Sequence, residues 1–91
     1  MRFLEGKKQI YLLDDDTVLG TVYFEEDDKV FKVKKVEVEE YARGKGIAQL
    51  LCDYVFNKII NEGKKAKLIC SYSVHYYEKN KDKYPNLQVI S

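Results

Sequence analysis

The sequence predicts an α+β fold: an antiparallel meander, then one strand-helix-strand unit with parallel strands, then a C-terminal helix. Three observations carry that expectation. Apolar residues alternate with period two through residues 9 to 38, and from Ile47 the apolar period becomes that of a helix. Between the two regimes lies Arg43-Gly44-Lys45-Gly46-Ile47-Ala48, whose glycines fall in a strand-to-helix turn. The alternation itself changes phase once, between Phe31/Val33 and Val36/Val38.

Gln9-Ile10-Tyr11-Leu12-Leu13 and Val18 to Phe24 are rich in β-branched and aromatic residues, with turn chemistry from Asp14 to Thr17, so they read as an antiparallel hairpin beginning at about Gln9. The alternating stretch from Val30 to Glu40 reads as the third strand, ending near Val38. Its phase change near Lys34-Lys35 implies one extra residue, a β-bulge, because no Gly, Pro, Asn or Asp marks a turn there. From Ile47, residues Ala48, Leu51, Cys52, Val55 and Ile59 share one helical face, opposite Gln49, Asp53, Asn57 and Asn61. Gly63 is a natural helix stop, and Lys64-Lys65 place cations at the negative end of the dipole. Ala66 to Cys70 reads as a short strand, parallel to the third because a helical crossover reaches it. Ser71 or Ser73 is expected to cap a second helix from about Val74 to Tyr84, ended by Tyr84-Pro85, with Leu87 to Ile90 as a terminal strand or tail.

The 91 residues suffice for one hydrophobic core and are too few for two, so a single domain over residues 1–91 is expected. Sixteen basic against fifteen acidic residues leave a net charge of +1, with no global field for nucleic acid or membrane. The first residues contain no apolar h-region and no run is long enough to span a bilayer, which places the protein in the cytoplasm. Cys52 and Cys70 lack CxxC spacing and His75 stands alone, so free thiols and no metal site are expected.

Gly44 and Gly46 permit positive φ and a close ligand approach, while the first amides of the following helix point outward with the positive end of its dipole. Such a turn cradles a diphosphate, and Arg43 and Lys45 add local charge. A Walker loop needs Lys and then Ser or Thr after its last glycine, whereas Gly46 is followed by Ile47. A dinucleotide fingerprint fails where its third glycine would be, at Gln49. The turn is therefore a different phosphate loop. Cys70, beside a helix start, has the placement of a reactive thiol, whereas Cys52 lies on the apolar stripe as core.

Val36-Glu37-Val38, then Arg43 to Ala48 opening a helix with Leu50-Leu51, resembles the acetyl-CoA motif of the GCN5-related N-acetyltransferases. Cys70-Ser71-Tyr72-Ser73-Val74-His75-Tyr76-Tyr77-Glu78-Lys79 has the spacing of the family's downstream segment, with Tyr77 at its tyrosine position. The length and the Cys-Ser-Tyr segment resemble the compact single-domain subfamily that lacks the usual N-terminal helices. The match departs at Tyr41, where the family has Gln or Arg, at Cys70, where it has Asn, and at Lys35-Val36, where the compact subfamily has His-Thr.

The resemblance implies that the bulged strand splays from its parallel neighbour and that pantetheine enters the gap. Main-chain groups near Val36 and Val38 would then bind its amides and polarise the acetyl carbonyl. Amides of Arg43, Gly44, Lys45, Gly46, Ile47 and Ala48 would hold the pyrophosphate. Tyr77 would protonate the departing thiolate, and Cys70 would sit near the cofactor sulfur, where it could carry acetyl as a thioester. Glu37 or Glu39 acting through water, or His75, are weaker candidates for a base. The implied reaction is acetyl transfer from acetyl-CoA to an amine, such as a protein lysine or N-terminus, by a monomer or weak homodimer with an open acceptor side. The alternatives are a CoA-binding module without turnover and an RNA-binding surface of lysines and tyrosines, which the balanced charge disfavours.

Overall fold

The computed structural model describes residues 1–90. Six strands, β1 (Arg2–Glu5), β2 (Gln9–Asp14), β3 (Thr17–Glu26), β4 (Val30–Val38), β5 (Lys65–Leu68) and β6 (Val89–Ile90), form one sheet in sequence order. The first four pair antiparallel in succession, and β4, β5 and β6 are mutually parallel. Helix α1 (Ile47–Glu62) joins β4 to β5, and α2 (Ser71–Asn80) leads from β5 toward β6. This is the meander, parallel crossover and C-terminal helix that the sequence predicts.

Both helices cover one face of the sheet, and the rings of Phe56 on α1 and Tyr76 on α2 meet 5.7 Å apart. Transverse rows on that face are set by the register: Ile10 opposes Val22, which opposes Val36, and Leu12 opposes Gly20, which opposes Val38. Phe24 and Phe31 stack at 4.6 Å beneath the helices. The α1 stripe buries Ile47, Leu51, Cys52, Val55, Phe56 and Ile59. Gly20 lets α1 approach the sheet closely, since a Cβ there would meet Leu51 Cδ1 at 2.8 Å and the Glu37 carbonyl at 2.9 Å.

The expected bulge is present. Tyr23 opposes Lys35 while Phe24 opposes Val33, so Lys34 is the extra residue, and it keeps Phe31, Val33, Val36 and Val38 on the core face. A second bulge, not foreseen, falls in β3: Leu13 opposes Val18 and Leu12 opposes Gly20, which leaves Leu19 unpaired.

Several boundaries differ from the sequence reading. The sheet begins with β1, ahead of Gln9, because Phe3 stacks on Tyr54 at 4.0 Å and so gives a four-residue strand without clear alternation a tertiary anchor. The β5 strand ends at Leu68, so Cys70 is not its last residue. Helix α2 starts at Ser71 rather than near Val74. Cys70 is its N-cap residue, and the Cys70 carbonyl accepts from Val74 N–H at 3.1 Å and from the Ser73 hydroxyl at 2.7 Å. Ser73 therefore bonds back within the first turn instead of capping. The helix stops at Asn80, whose amide donates to the Tyr76 carbonyl at 2.8 Å, and one 3-10 turn (Lys81–Lys83) precedes Tyr84.

Candidate functional site

Pairing between β4 and β5 covers only Val30 to Val33 against Lys65 to Leu68. Its last rung is the Val33 carbonyl, which accepts from both Ile69 N–H at 2.9 Å and Cys70 N–H at 3.2 Å. Beyond it β5 turns into α2 while β4 continues to Val38, paired only with β3. Glu39 N–H donates to the Leu19 carbonyl at 2.9 Å, so strand alternation turns the main-chain groups of Val38 and Val36 the other way, into the gap. A buried-side strand edge with free donors and acceptors is rare in a finished sheet.

The glycine turn lies at the head of that gap. Gly44 and Gly46 have φ of 80° and 75°, the left-handed region that makes glycine the natural residue at both positions, and Gly46 is the N-cap of α1. Leu50 N–H closes the first helical bond to the Gly46 carbonyl at 3.1 Å, and none of the amides from Gly44 to Gln49 donates to a backbone carbonyl among the described residues. Nothing lies within 4 Å of a Cβ built on Gly44, so the cradle is open. Arg43 and Lys45 are exposed and make no ion pair among the described residues. Val38, Arg43, Gly44, Gly46, Ile47 and Ala48, all expected from the sequence, join Tyr72 around a cavity of about 260 Å³.

Tyr72 is the wall residue that the sequence reading passed over. It lies in the first turn of α2, its phenol has no hydrogen-bond partner among the described residues, and burial pushes its pKa up, so it stays protonated at neutral pH. It lies two residues after the N-cap Cys70, so a helix starting at Ser71, rather than near Val74, brings it into the first turn. Tyr77 is half-buried farther along α2, with its ring edge-on to Phe56 at 6.3 Å and Lys81 over its face at 5.7 Å. Among the described residues its hydroxyl is also without a partner, unlike that of Tyr76, which meets the Tyr84 hydroxyl at 2.8 Å. Tyr84 donates in turn to Asp53 at 2.6 Å, and burial with that bond raises its pKa. The crowd of tyrosines thus divides into a structural pair, Tyr76 and Tyr84, and two free phenols.

Cys70 is half-buried at the closed end of the gap, where its backbone joins β4 and α2. Cys52 is fully buried, and desolvation pushes its thiol up to about 12, which makes it inert core. Glu37 is held by Lys35 at 2.9 Å, and His75 is exposed on α2. A larger hollow of about 430 Å³ lies between β1 and α1, but there Lys58 is already clamped at 2.7 Å by both Glu5 and Glu62, and no glycine turn lines it.

A family model described as GCN5-related N-acetyl-transferase matches residues 9–87, most of the chain. The chain belongs to this family. As a GCN5-related N-acetyltransferase it is an acyltransferase. Its fold is similar to the solution structure of a GCN5-like protein from Staphylococcus aureus, with a TM-score of 0.73 at 18% identity over 99% of this chain and 88% of that one. A ribosomal-protein-alanine N-acetyltransferase from Brucella melitensis is similar over 78% of this chain, with a TM-score of 0.62 at 22% identity. The acetyltransferase chain described here spans only 59% of that protein. Among curated proteins, no sequence matches it.

The family generally uses acetyl-CoA as acyl donor. Among the described residues this acetyltransferase has amides without backbone partners at a helix N-terminus and an unpaired strand edge, groups of the kind that hydrogen-bond phosphate oxygens and amides. Between β1 and β2 there is only the turn Gly6 to Lys8, closed by Gly6 N–H donating to the Gln9 carbonyl at 2.7 Å, so no helix lies there to wall the cleft.

Proposed function

We propose that the protein transfers acetyl from acetyl-CoA to a primary amine on a bulky acceptor, such as a protein lysine or N-terminus. The observation that carries this reading is the unpaired half of β4, whose Val36 and Val38 main-chain groups face a gap headed by the open glycine turn. The donor supplies an activated thioester carbonyl. Amides of Gly44 to Ala48 hold its phosphates, with Arg43 and Lys45 beside them. The Val36 and Val38 edge aligns the pantetheine arm, and an N–H of that edge directed at the carbonyl oxygen stabilises the charge that develops there.

In direct transfer the amine nitrogen bonds to the acetyl carbon, the C–S bond breaks, the amine proton passes to water, and a phenol protonates the departing thiolate. Tyr77 is the proposed acid, with Tyr72 as the second free phenol on the same helix. In the covalent route the Cys70 thiolate takes the acetyl group first, releases the CoA thiol, and passes the group to the amine. The tyrosine-to-phenylalanine variants separate the two phenols. Loss of turnover in Tyr77→Phe at unchanged acetyl-CoA affinity supports the assignment, and loss confined to Tyr72→Phe transfers the role. A Cys70-linked acetyl group seen by intact mass, absent in Cys70→Ala, supports the covalent route; full turnover by Cys70→Ala excludes it.

The first test is an amide titration of the reduced protein with acetyl-CoA, followed by thiol release with a panel of amines and lysine peptides. Saturable shifts clustered at Val36 to Val38, Arg43 to Ala48 and Cys70 support the donor site, and turnover of the panel supports the reaction. Binding without turnover would make the chain a CoA-binding module, and no shifts at millimolar ligand would overturn the reading.

A further inference from the structure

The glycine turn is held to the sheet by a part of the molecule that does not line the cavity. Between Val38 and Arg43 the chain makes one 3-10 turn (Glu40–Ala42), too short to fix its own orientation. It is tied down at two points on β3. Glu39 N–H donates to the Leu19 carbonyl at 2.9 Å, and the Tyr41 hydroxyl donates to the Val18 carbonyl. In a regular strand consecutive carbonyls point to opposite edges, so one edge cannot offer both. The Leu19 bulge, where Leu12 opposes Gly20 and Leu13 opposes Val18, breaks that alternation and gives the incoming chain two adjacent acceptors.

Tyr41 is 60% exposed, so its ring has little packing to hold it, and the hydroxyl bond is what fixes it. It is also absent from the cavity wall, although its neighbours Ala42 and Arg43 belong to it. The two following amides, Ala42 and Arg43, bond back to the Glu39 and Glu40 carbonyls at 2.9 and 3.3 Å, which links the anchored turn rigidly to the first residue of the cradle. We infer that Tyr41 and the β3 bulge form a strut that pre-orients the Arg43 to Ala48 cradle, which makes Tyr41 a positioning residue for the donor site. Pre-orientation matters because a cradle of amides binds an anion well only if its donors need no ordering when the ligand arrives.

The inference rests on the donor site proposed above, and the test separates the two. Tyr41→Phe removes one oxygen from an exposed ring and leaves every core contact in place. Hydrogen exchange of Arg43 to Ala48 in the free protein and acetyl-CoA affinity are measured for both proteins. The expected result is faster exchange confined to that stretch and about threefold to tenfold weaker binding, the size of one net hydrogen bond. Unchanged exchange with unchanged affinity would overturn the strut. If the wild-type protein bound no acetyl-CoA, the donor site would fall, and the exchange comparison alone would still decide whether Tyr41 holds the turn. Tyr41→Trp, which keeps the bulk but moves the donor, should behave as Tyr41→Phe; full affinity in the tryptophan variant would show that bulk suffices and would also overturn the inference.

Discussion

The two halves of β4 differ more than any two neighbouring segments of the molecule. From Phe31 to Val33 the strand is paired on both edges, and Phe31 and Val33 are completely buried. From Lys35 to Val38 it is paired on one edge only, and Val36 and Val38 are half-buried. One strand is thus core at its start and a candidate binding edge at its end, and a single inserted residue, Lys34, separates the two. The lesson is that a bulge can keep apolar side chains on the core face while ending the partnership of the backbone.

The comparison breaks most severely at its core end. Phe31→Ala removes a stacked, fully buried ring and should cost about 3–5 kcal/mol, read from denaturant unfolding. An effect on acetyl-CoA binding in samples that remain folded would contradict the division of roles. Deleting Lys34 attacks the boundary itself, because it sends Val36 and Val38 to the open face. The expected destabilisation is about 2 kcal/mol for two half-buried valines. Saturable donor binding should vanish, and its survival would show that the bulge is incidental.

Gly44→Val acts only at the open end. It places a β-branched residue at positive φ, for about 1–2 kcal/mol of strain, and projects a side chain into the cradle. Acetyl-CoA affinity should fall at least about tenfold, equivalent to about 1.4 kcal/mol, and calorimetry that finds it unchanged would remove the turn from the site. The smallest effect is expected at Tyr84→Phe, which unties the segment after α2 from α1 at Asp53 for about 1 kcal/mol. The sign of its pH dependence follows from the raised pKa. The neutral phenol stabilises the fold fully below the unfolded value near 10, and that contribution is lost as pH rises above it. The wild-type protein should therefore lose this increment on alkaline titration, and Tyr84→Phe should lack it; identical alkaline profiles would leave the bond without energetic weight.

Much of this was legible in the chain. The phase change between Val33 and Val36 revealed the Lys34 bulge because strand side chains alternate strictly, and any slip must show as a change of parity. Helix α1 was legible at both ends, since Gly46 and Gly63 take the positive φ that glycine tolerates best. The glycine turn and most of the cavity wall followed from the same junction. The β3 bulge was hidden because Val18-Leu19-Gly20 is apolar or small throughout and carries no parity signal. The start of α2 was missed because Cys70 caps it through its backbone carbonyl, without the side-chain oxygen that marks a cap in sequence. Tyr72 was lost with it.

Local sequence determined the periods, the bulge in β4 and the glycine geometry, because each depends on the steric preferences of a few consecutive residues. Tertiary structure alone decided which strand edges stay open, which phenols are bound and which are free, and how Tyr41 reaches β3. Those outcomes depend on groups far apart in the chain, such as Tyr84 and Asp53 or Tyr41 and Val18, and no pattern confined to one segment encodes their meeting.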